Sequence, residues 1–102
     1  MCILKFMFEY GVDSCIWSAN EIAKKKFEAY SIDHNRLEIS EELDLRMVEL
    51  CKEYHYSLDW DDPGGPSTLT DEEWTCFKHR ARQAYEDLVE ELKGKYVVEY
   101  WV

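Results

Sequence analysis

Apolar side chains alternate with other residues at the start of the chain. Within residues 2–10, one side of an extended segment would be wholly apolar: Cys2, Leu4, Phe6, Phe8 and Tyr10. This period of two is typical of a β-strand with one buried face. Gly11 then ends the segment. The pattern therefore predicts a strand whose even-numbered side chains face the core.

The next segment has a weaker pattern. Residues 15–17 form a short apolar run in an otherwise irregular stretch. A short helix over about 20–30 fits the sequence, with Ser18 or Asn20 as its N-cap. Residues 31–38 are rich in turn-forming side chains and are predicted to be a loop.

A longer amphipathic helix is predicted over residues 41–58. Ser40 is a favourable N-cap, and the two glutamates that follow it suit the positive end of a helix dipole. Apolar residues recur at steps of three and four, as expected of a helix with one buried face. They are Leu43, Met47, Leu50, Cys51, Tyr54 and Leu58.

The second long helix has the more complete start signal. Residues 70–73 read Thr-Asp-Glu-Glu, a capping box, and Leu69 and Trp74 occupy the positions of a hydrophobic staple. Gly94 is the expected stop, and the β-favouring residues 95–102 predict a final strand. The buried stripe of this helix is Trp74, Phe77, Ala81, Ala84, Tyr85, Leu88 and Leu92.

These elements predict an α+β fold in a single domain, residues 1–102. The strands at the two termini pair in a small sheet that packs against a two-helix hairpin. The two terminal strands are expected to run antiparallel.

The net charge of −10 comes almost entirely from one segment. Residues 41–75 hold eleven acidic and two basic side chains, a balance of −9. Such a field repels nucleic acid and anionic membranes and attracts basic proteins. We therefore expect neither direct nucleic-acid binding nor membrane binding. The alternative is an acidic surface that serves solubility alone.

The carboxylates of residues 57–67, the segment between the two long helices, do not match a calcium-binding loop. Asp59, Asp61 and Asp62 alternate as oxygen ligands might, and Gly64 stands at the sixth position counted from Asp59. The twelfth position, however, is Thr70, where an EF-hand requires glutamate. The acids are better explained as residues that fix the turn, and we expect no metal here.

Cysteine–histidine chemistry is the other candidate. An imidazole next to a thiol can activate it as a nucleophile. The candidate thiols are Cys51 and Cys76, and the candidate imidazoles are His34, His55 and His79. Cys76 and His79 also have the spacing of two metal ligands on one helix. Two ligands do not make a site, and Cys51 lies on an apolar stripe, where a buried thiol is usual. We expect no catalytic residue, no metal and no cofactor.

The cysteine spacing and the start of the chain bear on the compartment. The four cysteines form no CxxC pattern, and the N-terminal segment lacks the features of a signal peptide. No apolar run approaches the roughly 18 residues that a membrane span requires. We expect free thiols in the cytoplasm.

Several short sequences together carry a family resemblance. They are Tyr-Gly at 10–11, Cys-Ile-Trp-Ser at 15–18, Ile-Ser-Glu-Glu-Leu at 39–43, Leu-Asp-Trp-Asp-Asp-Pro at 58–63 and Lys-Gly-Lys-Tyr at 93–96. In these the chain resembles small acidic bacterial proteins that include immunity proteins of secreted antibacterial toxins, among them those of contact-dependent inhibition systems. The resemblance implies a non-catalytic protein that binds a cognate toxin.

Many toxins of this kind are nucleases, whose clefts must be basic to hold phosphates. We therefore expect a 1:1 complex with a basic, nuclease-type toxin. The expected partner-binding face is Glu41, Glu42, Glu49, Glu53, Asp59, Trp60, Asp61, Asp62, Asp71 and Glu72. Two alternatives stay open: an acidic adaptor or regulator of a host protein, and a small metal-dependent or thiol enzyme.

Overall fold

The computed structural model describes residues 1–59, 61–62, 64–65 and 67–102. Within these ranges the fold is α+β, with a three-stranded sheet and three α-helices. A short 3-10 helix, His34–Arg36, lies between the first and the second of these helices. The elements are β1 (Ile3–Phe6), β2 (Ile16–Ser18), α1 (Glu21–Phe27), α2 (Glu41–Tyr56), α3 (Asp71–Glu91) and β3 (Val97–Tyr100).

The sheet is mixed, with the strand order β2-β1-β3. In β1, Phe6 lies opposite Ile16 of the antiparallel β2 and opposite Tyr100 of the parallel β3. The prediction that the terminal strands run antiparallel is therefore wrong. The additional strand β2 lies in the stretch predicted to be irregular, and it reverses the chain once more than the prediction included.

The predicted core face of β1 is confirmed at its centre. Leu4, Phe6 and Phe8 are buried, whereas Cys2 is half-buried and Tyr10 is exposed. The strand is also shorter than predicted, because its regular pairing ends at Phe6. The buried aromatic rings of residues 2–10 thus form the surface against which the helices pack.

The short helix predicted over about 20–30 is confirmed as α1. Its cap is Asn20, whose Oδ1 accepts a hydrogen bond from the Ala23 N–H at 2.9 Å. Ser18, the other candidate, is buried in β2, where its hydroxyl donates to the Ala29 carbonyl at 2.7 Å. The helix ends at Glu28, which adopts a left-handed conformation with φ of 52°.

α2 and α3 begin as predicted and run antiparallel to each other. Ser40 caps α2, and its side chain accepts a hydrogen bond from the Leu43 N–H. The helix ends at Tyr56, two residues earlier than expected. Polar contacts join the helices from one end to the other, at Ser40–Glu91, Arg46–Asp87 and Arg80–Glu53.

The helices also touch the sheet through aromatic rings. Phe77 of α3 lies 5.2 Å from Phe8, centroid to centroid, and the Tyr85 hydroxyl donates to the Val98 carbonyl at 2.9 Å. α3 stops before Gly94, whose φ of +82° is readily adopted only by glycine. β3 can therefore turn back beside β1.

Replacing Thr70 with alanine should lower the free energy of unfolding by about 1 kcal/mol, within the range of 0.5–2 kcal/mol for lost N-caps. The Thr70 hydroxyl accepts from the Glu73 N–H, and the Glu73 carboxylate accepts from the Thr70 N–H, both at 3.1 Å. The change removes the hydroxyl that accepts from the Glu73 N–H and keeps the backbone N–H that donates to the Glu73 carboxylate. Urea unfolding measures the loss, with Thr75→Ala as the matched control on the same helix. An equal loss in both variants would contradict the capping assignment.

Candidate functional site

The residues predicted to bind a partner lie along α2 and around the loop that joins α2 to α3. Glu41 and Glu42 occupy the first turn of α2, and Asp61 and Asp62 follow its other end. A helix of 16 residues spans about 24 Å. The structure thus spreads these acids along a strip and does not gather them into one compact patch. Trp60 lies outside the described residues.

Backbone and side-chain hydrogen bonds bring the start of α3 to the end of α2. The Thr68 N–H donates to the Ser57 carbonyl at 2.9 Å, and the Thr68 hydroxyl donates to the Tyr56 carbonyl at 2.8 Å. Asp71 and Glu72, in the first turn of α3, therefore lie at the same end of the helix pair as the loop acids. Four of the predicted residues cluster at this end in addition to Asp59.

One member of the predicted set is already paired. Arg80 donates two hydrogen bonds to the Glu53 carboxylate, each 2.7 Å long, and this partner raises the pKa of Arg80. The other acids have no ion-pair partner within the part of the chain that the structure describes. They are Glu41, Glu42, Glu49, Asp59, Asp61, Asp62, Asp71 and Glu72. No cationic side chain among the described residues neutralises them.

A groove of about 510 Å³ lies between α2 and α3. Glu49 and Glu53 line it together with Leu45, His79 and Gln83. Leu45 is 58% exposed although it is a large apolar side chain. The groove therefore combines an apolar contact with carboxylates along one side of the helix pair.

Sequence reasoning missed two apolar residues on the exposed face of α2. Positions 42, 45, 49 and 56 are three, four and seven residues apart, so they share one face of a helix. Leu45 and Tyr56 are 58% and 67% exposed on that face, among Glu42 and Glu49. The signal was present, because both residues lie off the apolar stripe that the same helix buries. We call Leu45, Tyr56 and the eight unpaired acids the acidic strip.

A second arrangement lies inside the protein. Cys15, His34 and Cys51 are all buried, and one ligating atom of each lies within 4.8 Å of the other two. The Cys15 Sγ is 3.8 Å from the His34 Nε2, which also accepts the Cys15 N–H at 3.2 Å. On the far side of the ring, the His34 Nδ1 lies 3.0 Å from the Asp44 carboxylate.

Burial governs the protonation of this buried cluster. It lowers the pKa of His34, an effect that the neighbouring Asp44 carboxylate partly opposes. Burial also raises the pKa of the Cys15 thiol well above its ordinary value. A buried, protonated thiol is a poor nucleophile, because the thiolate is the reactive form and a substrate must reach it. The geometry does not favour thiol catalysis here.

The remaining cysteine–histidine candidates are dispersed. Cys76 and His79 are exposed on α3, and the His55 Nδ1 accepts a hydrogen bond from the Gly11 N–H at 2.9 Å. All four cysteines of the chain are free thiols in the structure. Of the pairs considered from the sequence, the structure brings together Cys51 and His34, and it adds Cys15.

Among the described residues, none of the helices has both the length and the apolar character needed to cross a bilayer. A comparison with curated proteins finds no match. The model of one protein family, described as Serratia CdiI immunity protein-like, matches residues 3–102. The match covers nearly all of the 102-residue sequence. The chain therefore belongs to the Serratia CdiI immunity protein-like family.

Proposed function

We propose that this protein binds and neutralises a cognate antibacterial toxin and that it does so without catalysis of its own. The observation that carries the proposal is the family match over residues 3–102, since an immunity-protein family indicates toxin neutralisation in general. The charge and the exposed apolar side chains of the acidic strip support a more specific proposal about the partner. Inhibition follows from occupying the toxin's surface and needs no reaction.

The acidic strip is the proposed binding surface. Its eight carboxylates lack ion-pair partners among the described residues, and the whole sequence carries a net charge of −10. A partner that complements it must be basic. Nuclease toxins meet this condition, because they need positive clefts to hold phosphates. We therefore assign a basic, nuclease-type toxin as the partner, in a 1:1 complex.

Charge and apolar contact have different roles in this proposal. Exposed charges raise the association rate of two proteins with opposite charge, and they add little to the final affinity. Affinity comes mainly from a few side chains that become fully buried in the interface, with aromatic residues favoured. Leu45 and Tyr56 are exposed within the acidic strip and can supply this burial.

Reversing Asp61 and Asp62 to lysine should reduce the association rate constant with the purified toxin domain at least about tenfold at low salt. Both side chains are exposed, so the change alters the field and leaves the core intact. Surface plasmon resonance measures the rate, and survival of cells that co-express the toxin measures protection. The matched control is Asp33→Lys with Glu90→Lys, which makes the same charge change at exposed sites outside the acidic strip.

Two outcomes would contradict the assignment. Unchanged association and unchanged protection in the Asp61→Lys, Asp62→Lys variant would remove this end of the strip from the interface. An equal loss in the control variant would show that only the net charge matters. If the wild-type protein fails to protect against the toxin and binds a host protein stoichiometrically, the adaptor alternative takes first place.

A further inference from the structure

We propose that Cys15, His34 and Cys51 form a zinc-binding site in the interior of the protein. The three side chains come from separate segments: the residue before β2, the 3-10 helix and α2. Two thiols and one imidazole are the ligand types that Zn²⁺ prefers, whereas Mg²⁺ and Ca²⁺ take oxygen ligands. The proposal is independent of the toxin-binding function.

The distances are close to those of a tetrahedral site. Zn–S bonds of about 2.3 Å and Zn–N bonds of about 2.0–2.1 Å place neighbouring ligand atoms roughly 3.5–3.8 Å apart. The Cys15 Sγ and His34 Nε2 are already 3.8 Å apart, and all three ligand atoms lie within 4.8 Å of one another. Rotation of the cysteine side chains can supply the remaining approach. With three protein ligands, the fourth position of the zinc ion would be left for a water molecule.

His34 is oriented as a metal ligand would be. Its Nδ1 faces the Asp44 carboxylate at 3.0 Å, so Nδ1 carries the ring proton and donates it to the carboxylate. Nε2 accepts the Cys15 N–H at 3.2 Å, so it carries no proton, and it lies 3.8 Å from the Cys15 Sγ. A carboxylate behind a ligating histidine is the usual support of zinc sites. Metal binding replaces the hydrogen bond from the Cys15 amide.

Charge balance favours a divalent ion at this position. Two thiolates beside a neutral imidazole would carry two negative charges, which is costly in the buried setting of Cys15 and Cys51 without compensation. One Zn²⁺ brings the sum over ion and ligands to zero. Asp44 stays outside the ligand set, with its side chain 36% exposed to solvent. The ion would tie β2 and the 3-10 helix to α2.

The test uses the full chain, purified in reductant without a polyhistidine tag, stripped with a chelator and titrated with Zn²⁺. Native mass spectrometry should show one zinc per chain, and the melting temperature should rise because the ion binds the folded state.

Co²⁺ should give thiolate charge-transfer absorption. Cys51→Ser should abolish that absorption, and Asp44→Asn should weaken zinc binding about 10–100-fold. The control variant Cys76→Ser, His79→Gln removes one thiol and one imidazole from the surface of α3. It should keep both the charge-transfer absorption and the zinc binding.

The zinc titration of the wild-type protein tests the proposal even if the variants do not fold. Absence of stoichiometric zinc, or no rise in melting temperature on titration, would overturn it and leave a thiol–imidazole hydrogen bond in a packed core. Loss of zinc in the Cys76→Ser, His79→Gln variant would move the metal to the surface of α3 and overturn it equally. Failure here does not affect toxin binding, which is measured separately.

Discussion

Replacing Phe6 with alanine is expected to lower the free energy of unfolding by about 3–5 kcal/mol, the usual cost of truncating a buried phenylalanine. Phe6 has no solvent exposure and lies on β1, the central strand of the sheet. Its ring centroid is 5.3 Å from that of Phe8, 5.9 Å from Tyr85 and 6.2 Å from Tyr100. The variant therefore loses contacts to Phe8 just after β1, to α3 and to β3 at once.

Small domains are typically stable by only about 5–15 kcal/mol, so this loss should be visible as a large drop in the urea midpoint. The matched control is Val97→Ala on the neighbouring strand β3. Val97 is 43% exposed and should cost less than about 1 kcal/mol. A Phe6→Ala variant as stable as the control would show that the aromatic cluster around β1 is not the centre of the core.

Local patterns in the sequence predicted the elements better than their arrangement. The capping box at Thr70 and the N-cap at Ser40 are near-neighbour signals, and both are present in the structure. Strand direction depends on every reversal along the chain. β2 is only three residues long, Ile16–Ser18, and all three side chains are buried, so it shows no alternation of apolar and polar positions. Omitting β2 removes one reversal of the chain, so the predicted direction of β3 was opposite to the observed one.

The two candidate sites differ in the same way. The acids of the strip are close in sequence, so their charge was evident from composition alone. The buried cluster joins Cys15 to His34 and Cys51, which are 19 and 36 positions further along the chain. No spacing rule covers such distances, because the fold brings the side chains together. Cys51 was correctly expected to be buried, but burial alone does not reveal its neighbours.

Exposed apolar residues are informative only when the buried stripe is known. Leu45 and Tyr56 look unremarkable in a helix that also contains Leu43, Met47 and Leu50. The structure buries those three and leaves Leu45 and Tyr56 in solvent. An apolar side chain exposed among carboxylates is what a binding anchor within a charged rim requires.

Replacing Tyr56 with alanine is expected to weaken toxin binding by about 2 kcal/mol or more, which corresponds to roughly a 30-fold rise in Kd. Tyr56 is 67% exposed at the end of α2, beside the loop acids, so its ring can become buried in an interface. The free protein should keep its stability, because the side chain makes little contact with the core. The loss should appear in the dissociation rate constant and should persist at high salt.

This signature separates the anchor from the charges around it. The lysine reversals at Asp61 and Asp62 should act mainly on association and should lose their effect as salt screens the field, since the Debye length is only about 10 Å at 0.1 M. Tyr30→Ala is the matched control, because Tyr30 is an aromatic side chain 47% exposed at another part of the surface. Equal dissociation rates for Tyr56→Ala and the wild type would place the anchor elsewhere. A salt-independent association rate would contradict electrostatic steering by the acidic strip.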